Sequence, residues 1–181
     1  MSTQTIDEAK LGAFMERALG DAAGLMACTL AALGDRLGLF ETLAQGPATS
    51  DELAVTAAVN ERYAREWLRG MRAAGYVELE VETGRYTLPL EQAQVLANEG
   101  GPAFLGGAFQ LTFGYLHEID RLTEAFRSGG GVPQSAYPVE TWEGMGRFSR
   151  PLYDNQLLQQ WLPMIAGLER RLEYGARWAG S

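Results

Sequence analysis

The sequence predicts a mainly α-helical chain with one small β-hairpin set among the helices. Three observations carry this. Apolar residues recur at intervals of three and four through long stretches toward both ends, the spacing of one face of a helix. A single stretch, Tyr76 to Glu82, alternates instead, and Thr83-Gly84 separates it from a second short run, Arg85 to Leu88, which is the pattern of a hairpin. A hydrophobic share of 46% and a charged share of 21% over 181 residues belong to a chain able to bury a core.

The first helix is expected to open at Thr5, with Glu8 three residues on at capping-box spacing. Its stripe is Leu11, Met15, Ala18, Ala22, Leu25, Thr29 and Leu33, with Gly20 as a candidate break. Between Ala22 and Leu33 the opposite face is apolar too, through Met26, Leu30 and Ala31. Such a helix is covered on two sides, either within its own domain or by a second subunit or a further domain.

A short helical piece, Asp35 to Leu43, precedes the breaker Gly46-Pro47. Thr49 and Glu52 repeat the capping-box spacing and start a short helix that reaches about Ala58. Asn60 is an N-cap for a third helix running to about Ala74, whose buried face is expected to hold Tyr63, Trp67, Leu68 and Met71. Gly75 stops it and the hairpin follows. Helix, short helix, turn, longer helix and hairpin, in that order, make a winged helix. The predicted organisation is a helical arm over 1–45, a winged helix over 46–98 and a helical region over 99–181.

In that last region, after a short helix from Leu90 to Ala97, Gly100-Gly101-Pro102 breaks the chain before one long helix from about Ala103 to Arg127, which Gly129 to Pro133 ends. From Tyr137 to Trp178 two or three helices are expected, interrupted by Pro151 and Pro163. Their apolar side is Leu157, Leu158, Trp161, Leu162, Ile165, Leu168 and Leu172.

Charge narrows the function. The formal net charge of -8 repels phosphate backbones and anionic lipid. Arg62, Arg65, Arg69 and Arg72 share one face of the third helix, as in a DNA-recognition helix. Glu61 and Glu66 lie one turn from these arginines and partly neutralise them. Glu78, Glu80 and Glu82 alternate along the hairpin where a DNA-binding wing needs cations, and Ser50 to Leu88 holds five Arg against seven Asp and Glu. Nucleic acid is therefore not the expected partner.

Cys28 is the only cysteine, which fits a reducing cytoplasm. The N-terminus has no basic flank followed by an apolar run, and Ala22 to Gly34 is too short for a bilayer's hydrocarbon core of about 30 Å. The reading is a cytoplasmic, membrane-free chain.

Little in the sequence carries chemistry outright. His117, the one histidine, stands beside Glu118 and Asp120 and is a secondary candidate for a general base. No His-x-x-His, Glu-x-x-His or Cys-x-x-Cys spacing marks a metal site. Gly129 to Gly131 follows a helix, whereas phosphate-binding loops follow a strand, so a turn is expected. No apolar strand leads into a Gly-x-Gly turn. The densest aromatic and proline segment runs from Val132 to Trp142, followed by Phe148 and Tyr153. Pro133 and Pro138 stiffen it, so that Ser135 and Tyr137 are presented from a rigid loop, for ligand contact or for packing.

The runs Asp35 to Ala44, Asn60 to Leu68, Gly84 to Pro89 and above all Gly129-Gly130-Gly131-Val132-Pro133-Gln134-Ser135-Ala136-Tyr137-Pro138 resemble the N-terminal region of bacterial class I S-adenosylmethionine (SAM)-dependent methyltransferases with a winged-helix front domain. The resemblance covers nearly the whole chain. It implies a domain that covers the substrate side of an active site and pairs two subunits into a homodimer through its first helices. In that family a strand and a glycine loop follow and hold SAM. The chain stops at Ser181, about where that strand is expected, so no residue here is expected to bind SAM or to methylate unaided. The resemblance points to Tyr137, Trp142 and Tyr153 as substrate-side residues, with His117 near the acceptor. Two other readings stay open: a standalone winged-helix transcriptional regulator or ligand sensor, and a protein-protein module that only dimerises.

Overall fold

A computed structural model describes residues 6–173 and residue 175. The described chain is mainly helical with one antiparallel hairpin, and it forms two compact units that part between Ala93 and Gln94. Among the described residues no helix is long and apolar enough to cross a membrane.

In the first unit, α1 runs unbroken from Glu8 to Arg36, so Gly20 does not divide it. Its cap is Asp7, whose carboxylate accepts from the backbone N–H of Ala9 at 3.1 Å and of Lys10 at 3.2 Å; Thr5 lies outside the described residues. Only Ala31 and Gly34 of α1 are buried. Met26 is 58% exposed, and Leu11, Phe14, Met15, Leu19, Leu25 and Leu33 are exposed with it. Burial of this helix by its own domain is thus confined to its C-terminal end, contrary to one of the two expectations.

Helix α1 ends one residue before Leu37, Gly38 turns the chain through a φ of 65°, and α2 (Leu39–Ala44) begins, so the expected piece from Asp35 is split. Thr49 and Glu52 form the predicted reciprocal capping box on α3 (Ser50–Thr56), and Asn60 caps α4 (Glu61–Ala73) by accepting from the Arg62 N–H. The core joins Leu39, Phe40 and Leu43 of α2, Leu53 of α3, and Ala64, Trp67, Leu68 and Met71 of α4. Each such large side chain contributes roughly 1.5–3 kcal/mol on full burial. Tyr63 is a correction: it is 72% exposed. Ala64 takes its expected place, and Tyr63 projects about a quarter turn round from the centre of the buried face.

The hairpin pairs β1 (Glu78–Glu80) with β2 (Arg85–Thr87), Leu79 opposite Tyr86. It is shorter than the alternation suggested, and Glu82 falls in the turn, so only Glu78 and Glu80 project from the strand. Ala48 adds a bridge to Tyr86, exchanging backbone hydrogen bonds of 3.0 and 2.8 Å. Helix α5 spans Leu90–Leu96.

In the second unit the expected long helix is two: α6 (Gly106–His117) and α7 (Ile119–Ser128). The break is Glu118, a residue of helix-forming type that is only 6% exposed. Its carboxylate takes His117 Nδ1 at 3.0 Å and Arg121 Nε at 2.9 Å. Gly129, Gly130 and Gly131 all have positive φ, from 70° to 89°, which explains the choice of glycine.

A short 3-10 turn, Gln134–Ala136, leads to α8 (Val139–Gln156). Pro151 does not interrupt α8 as expected: its ring is buried and the helix continues past it, losing one backbone hydrogen bond. A π-helical turn, Leu157–Trp161, follows, and Pro163 lies between it and α9 (Leu168–Glu173). On the expected apolar side Leu157, Trp161, Leu162 and Leu168 are half-buried and Ile165 is exposed. The side chains of Leu158 and Leu172, and the whole of Trp178, lie outside the described residues.

Candidate functional site

The second unit is built on close contact between α6 and α8. A Cβ on Gly144 would stand 2.7 Å from the Leu111 amide nitrogen, and one on Gly107 would stand 2.6 Å from the Gly144 carbonyl oxygen. Further along, fully buried Thr141 lies against Gly114. Small residues let the two backbones approach, and this sets the C-terminal end of α6 beside the first turn of α8.

At that end three rings meet. Tyr137 is edge-on to Tyr115 of α6, centroids 5.7 Å apart, and edge-on to Trp142 of α8 at 6.1 Å. Tyr137 is held by the prolines on either side of it: the 3-10 turn begins with a 2.9 Å bond from the Ala136 N–H to the Pro133 carbonyl, and Pro138 is the extended N-cap of α8. Edge-to-face rings attract beyond their area. Tyr115 is nevertheless 44% and Trp142 37% exposed, so the cluster presents a half-exposed apolar wall of mutually edge-on rings edged by phenolic hydroxyls.

Of the sequence-predicted residues, Tyr137 and Trp142 come together here. Tyr153 does not; it packs edge-on to Trp161 at 5.8 Å, about 16 Å further along α8 from Trp142 at the helical rise. His117 is two residues from Tyr115, and so leaves α6 about 200° round from it. It lies on the other flank of the helix, 72% exposed, bonded to Glu118. Tyr115 was not anticipated; in the sequence it is one aromatic residue in an expected long helix, which alone does not tell core from site. Ser135 is exposed in the same loop.

A separate groove of about 600 Å³ lies along another face of α8, lined by Glu99, Glu143, Arg147, Arg150 and Asp154. Arg147 spans it, donating from Nε to Glu99 at 2.7 Å and from Nη1 to Gln110 at 2.8 Å, with its guanidinium over the Phe104 ring. The Arg147 hydrogen bond holds the Glu99 carboxyl below its ordinary range. The charges lining the groove are of both signs, and Arg147 and Glu99 are joined in an ion pair. Among the described residues no group of His, Cys, Asp and Glu is placed to hold a metal ion.

On α4, Arg65 pairs with Glu61 at 3.5 Å and Arg69 with Glu66 at 3.3 Å, the neutralisation expected from the spacing. Glu78 and Glu80 are exposed on the wing, so this face is unlike a phosphate-binding one.

The winged-helix unit matches a known family model. Residues 23–98 correspond to the Rv2258c-like winged HTH domain. Comparison of the sequence with curated proteins gave no match. Among solved structures, the mitomycin 7-O-methyltransferase MmcR superposes with a TM-score of 0.63 at 17% identity, over 81% of this chain and 46% of that one. An O-methyltransferase family protein from Burkholderia thailandensis gives 0.55 at 17%, over 83% and 45%. Human N-acetylserotonin methyltransferase, in complex with SAM, gives 0.57 at 16%, over 83% and 44%. The chain thus spans less than half the length of each of these structures. Over the matched stretch its fold is that of part of these methyltransferase structures.

Among the described residues no parallel strand leads into a glycine loop of the kind that holds SAM. The longest glycine run, Gly129 to Gly131, follows α7 and leads to a 3-10 turn, whereas a dinucleotide-type cradle follows a parallel strand and opens a helix. The sheet among the described residues is a two-stranded antiparallel hairpin.

Proposed function

We propose that the chain is the substrate-side and dimerisation part of a SAM-dependent O-methyltransferase acting on a small planar molecule. The observation that carries this is the half-exposed Tyr115–Tyr137–Trp142 cluster at the α6/α8 end, on a fold shared with O-methyltransferases. The rings supply the wall on which the acceptor lies. Donor binding and transfer are assigned to a separate sheet-bearing domain, and this part shapes and shields the acceptor side. His117, on the other flank of α6, is assigned no role in transfer.

The dimer reading rests on α1. Seven large apolar side chains from Leu11 to Leu33 are exposed on it, and each stabilises a pair by roughly 1.5–3 kcal/mol if fully covered. A second copy of the helix is the proposed cover.

Both halves are tested on the purified chain. Binding of 1-naphthol, a flat aromatic alcohol, should be measurable by calorimetry and should be lost in Trp142→Ala; equal binding by the variant would remove the pocket. Sedimentation should give a dimer for the wild type and a folded monomer for Met26→Asp, because Met26 is exposed in the single chain. A monomeric wild type at the concentrations where the protein is stable would remove the arm.

A further inference from the structure

Helix α7 has the pattern of a packed helix and little of the packing. Ile119, Leu122 and Phe126 fall within an arc of about 60° on its surface, yet no residue of α7 is buried and Phe126 is 87% exposed. An apolar stripe of this kind ordinarily faces a core.

The helix is also mounted at its two ends in different ways. At its start, the buried Glu118 carboxylate takes Arg121 of the first turn at 2.9 Å, a fixed point. At its end, Gly129, Gly130 and Gly131 have positive φ, and a Cβ on any of them would meet nothing within 4 Å. Those glycines are there for backbone freedom and not for close packing. The linker from Gly129 to Pro133 reaches up to about 16 Å when extended, slack enough for the far end of α7 to swing. The base of the whole excursion is closed by the Tyr115–Tyr137 ring contact, so the segment leaves and returns beside the aromatic wall.

We propose that α7 is a lid, pivoting at Glu118 and freed by the triple glycine, whose Ile119, Leu122 and Phe126 close over a planar ligand lying on Tyr115, Tyr137 and Trp142. The lid rests on the pocket reading given above. An open lid leaves Phe126 in water, and a bound flat molecule gives it an apolar surface to cover. The Glu118–Arg121 pair is retained in both positions.

Hydrogen exchange of the chain with and without saturating 1-naphthol tests it. Amides of 119–128 should exchange faster than those of α6 in the free chain and slow by about tenfold or more when the probe binds. Phe126→Ala should weaken naphthol binding several-fold at an unchanged melting temperature, with Phe126→Leu restoring most of it. Binding that depends on Trp142 but leaves 119–128 unprotected, or is indifferent to Phe126→Ala, overturns the lid and leaves the pocket standing. Absence of Trp142-dependent binding overturns both.

Discussion

Trp67 donates its indole N–H to the backbone carbonyl of Leu30 at 2.8 Å, joining α4 to α1 across 37 positions of sequence. The ring is almost fully buried, stands edge-on to Phe40 at 5.1 Å, and covers Gly34. This is where the long arm is fastened to the winged-helix core. Trp67→Phe keeps an aromatic ring and removes the donor, and a net hydrogen bond is worth about 1 kcal/mol. Urea unfolding followed by circular dichroism should show a loss of that order; an unchanged midpoint would mean that the bond contributes nothing to holding the arm.

Gly34 makes the same joint from the other side. A Cβ there would lie 2.5 Å from Trp67 Cζ2 and 2.8 Å from Phe40 Cε2, whereas at Gly24 it would meet nothing within 4 Å. Alanine is the better helix former by roughly 1 kcal/mol, but at Gly34 the gain is outweighed by overpacking against two rings, which costs roughly 1–3 kcal/mol. Gly34→Ala should lower stability in denaturant titrations. Gly24→Ala should raise the helix content of α1, and a variant pair with the opposite signs would contradict the packing described.

Thr141 offers a test of the α6/α8 contact. Its hydroxyl is buried without a hydrogen-bond partner and faces Gly114. An unpaired buried hydroxyl is a cost, so Thr141→Val, which keeps the shape, should be neutral or should stabilise by up to about 1 kcal/mol. Gly114→Ala places a methyl group against the same side chain and should destabilise by roughly 1–3 kcal/mol. Thermal melts of the two variants should therefore move in opposite directions, or only the second should move.

How far these features could be read from the sequence depended on whether the signal was local. The capping box at Thr49 and Glu52, the Asn60 cap, the hairpin turn and the Arg65–Glu61 and Arg69–Glu66 pairs are contacts within a turn or two, and residue type with spacing sets them. The break at Glu118 was not legible, because the residue type favours a helix and no glycine or proline marks the position. Pro151 misled in the opposite sense, since a proline ring buried in a helix contact costs one hydrogen bond and need not end the helix. In the candidate site, Tyr137 and Trp142 stood out through their proline-rich setting. Tyr115 joins them only because Gly107, Gly114 and Gly144 bring α6 and α8 together, a tertiary fact. Tyr153 looked equally eligible in sequence, and the length of α8 carries it away.

The acid side of the stability curve has an identifiable contributor in Glu52. Its carboxyl is held below its ordinary pKa, first by the backbone N–H of Thr49 in the capping box and then by Arg85, whose Nη2 lies 2.6 Å away. The folded-state pKa is depressed, so the native state binds this proton more weakly than the unfolded chain does. The stabilisation is then complete above the ordinary carboxylate pKa and is lost as pH falls through the lower folded value. The group is at the surface, where salt weakens such pairs. Melting temperature should thus drop on acidification through this window, less steeply at high ionic strength. Glu52→Gln keeps an acceptor for the Thr49 N–H and removes the titration, so its melting curve should start lower near neutral pH and converge on the wild type in acid. Parallel curves for the two proteins at every pH would place the acid sensitivity in other carboxylates.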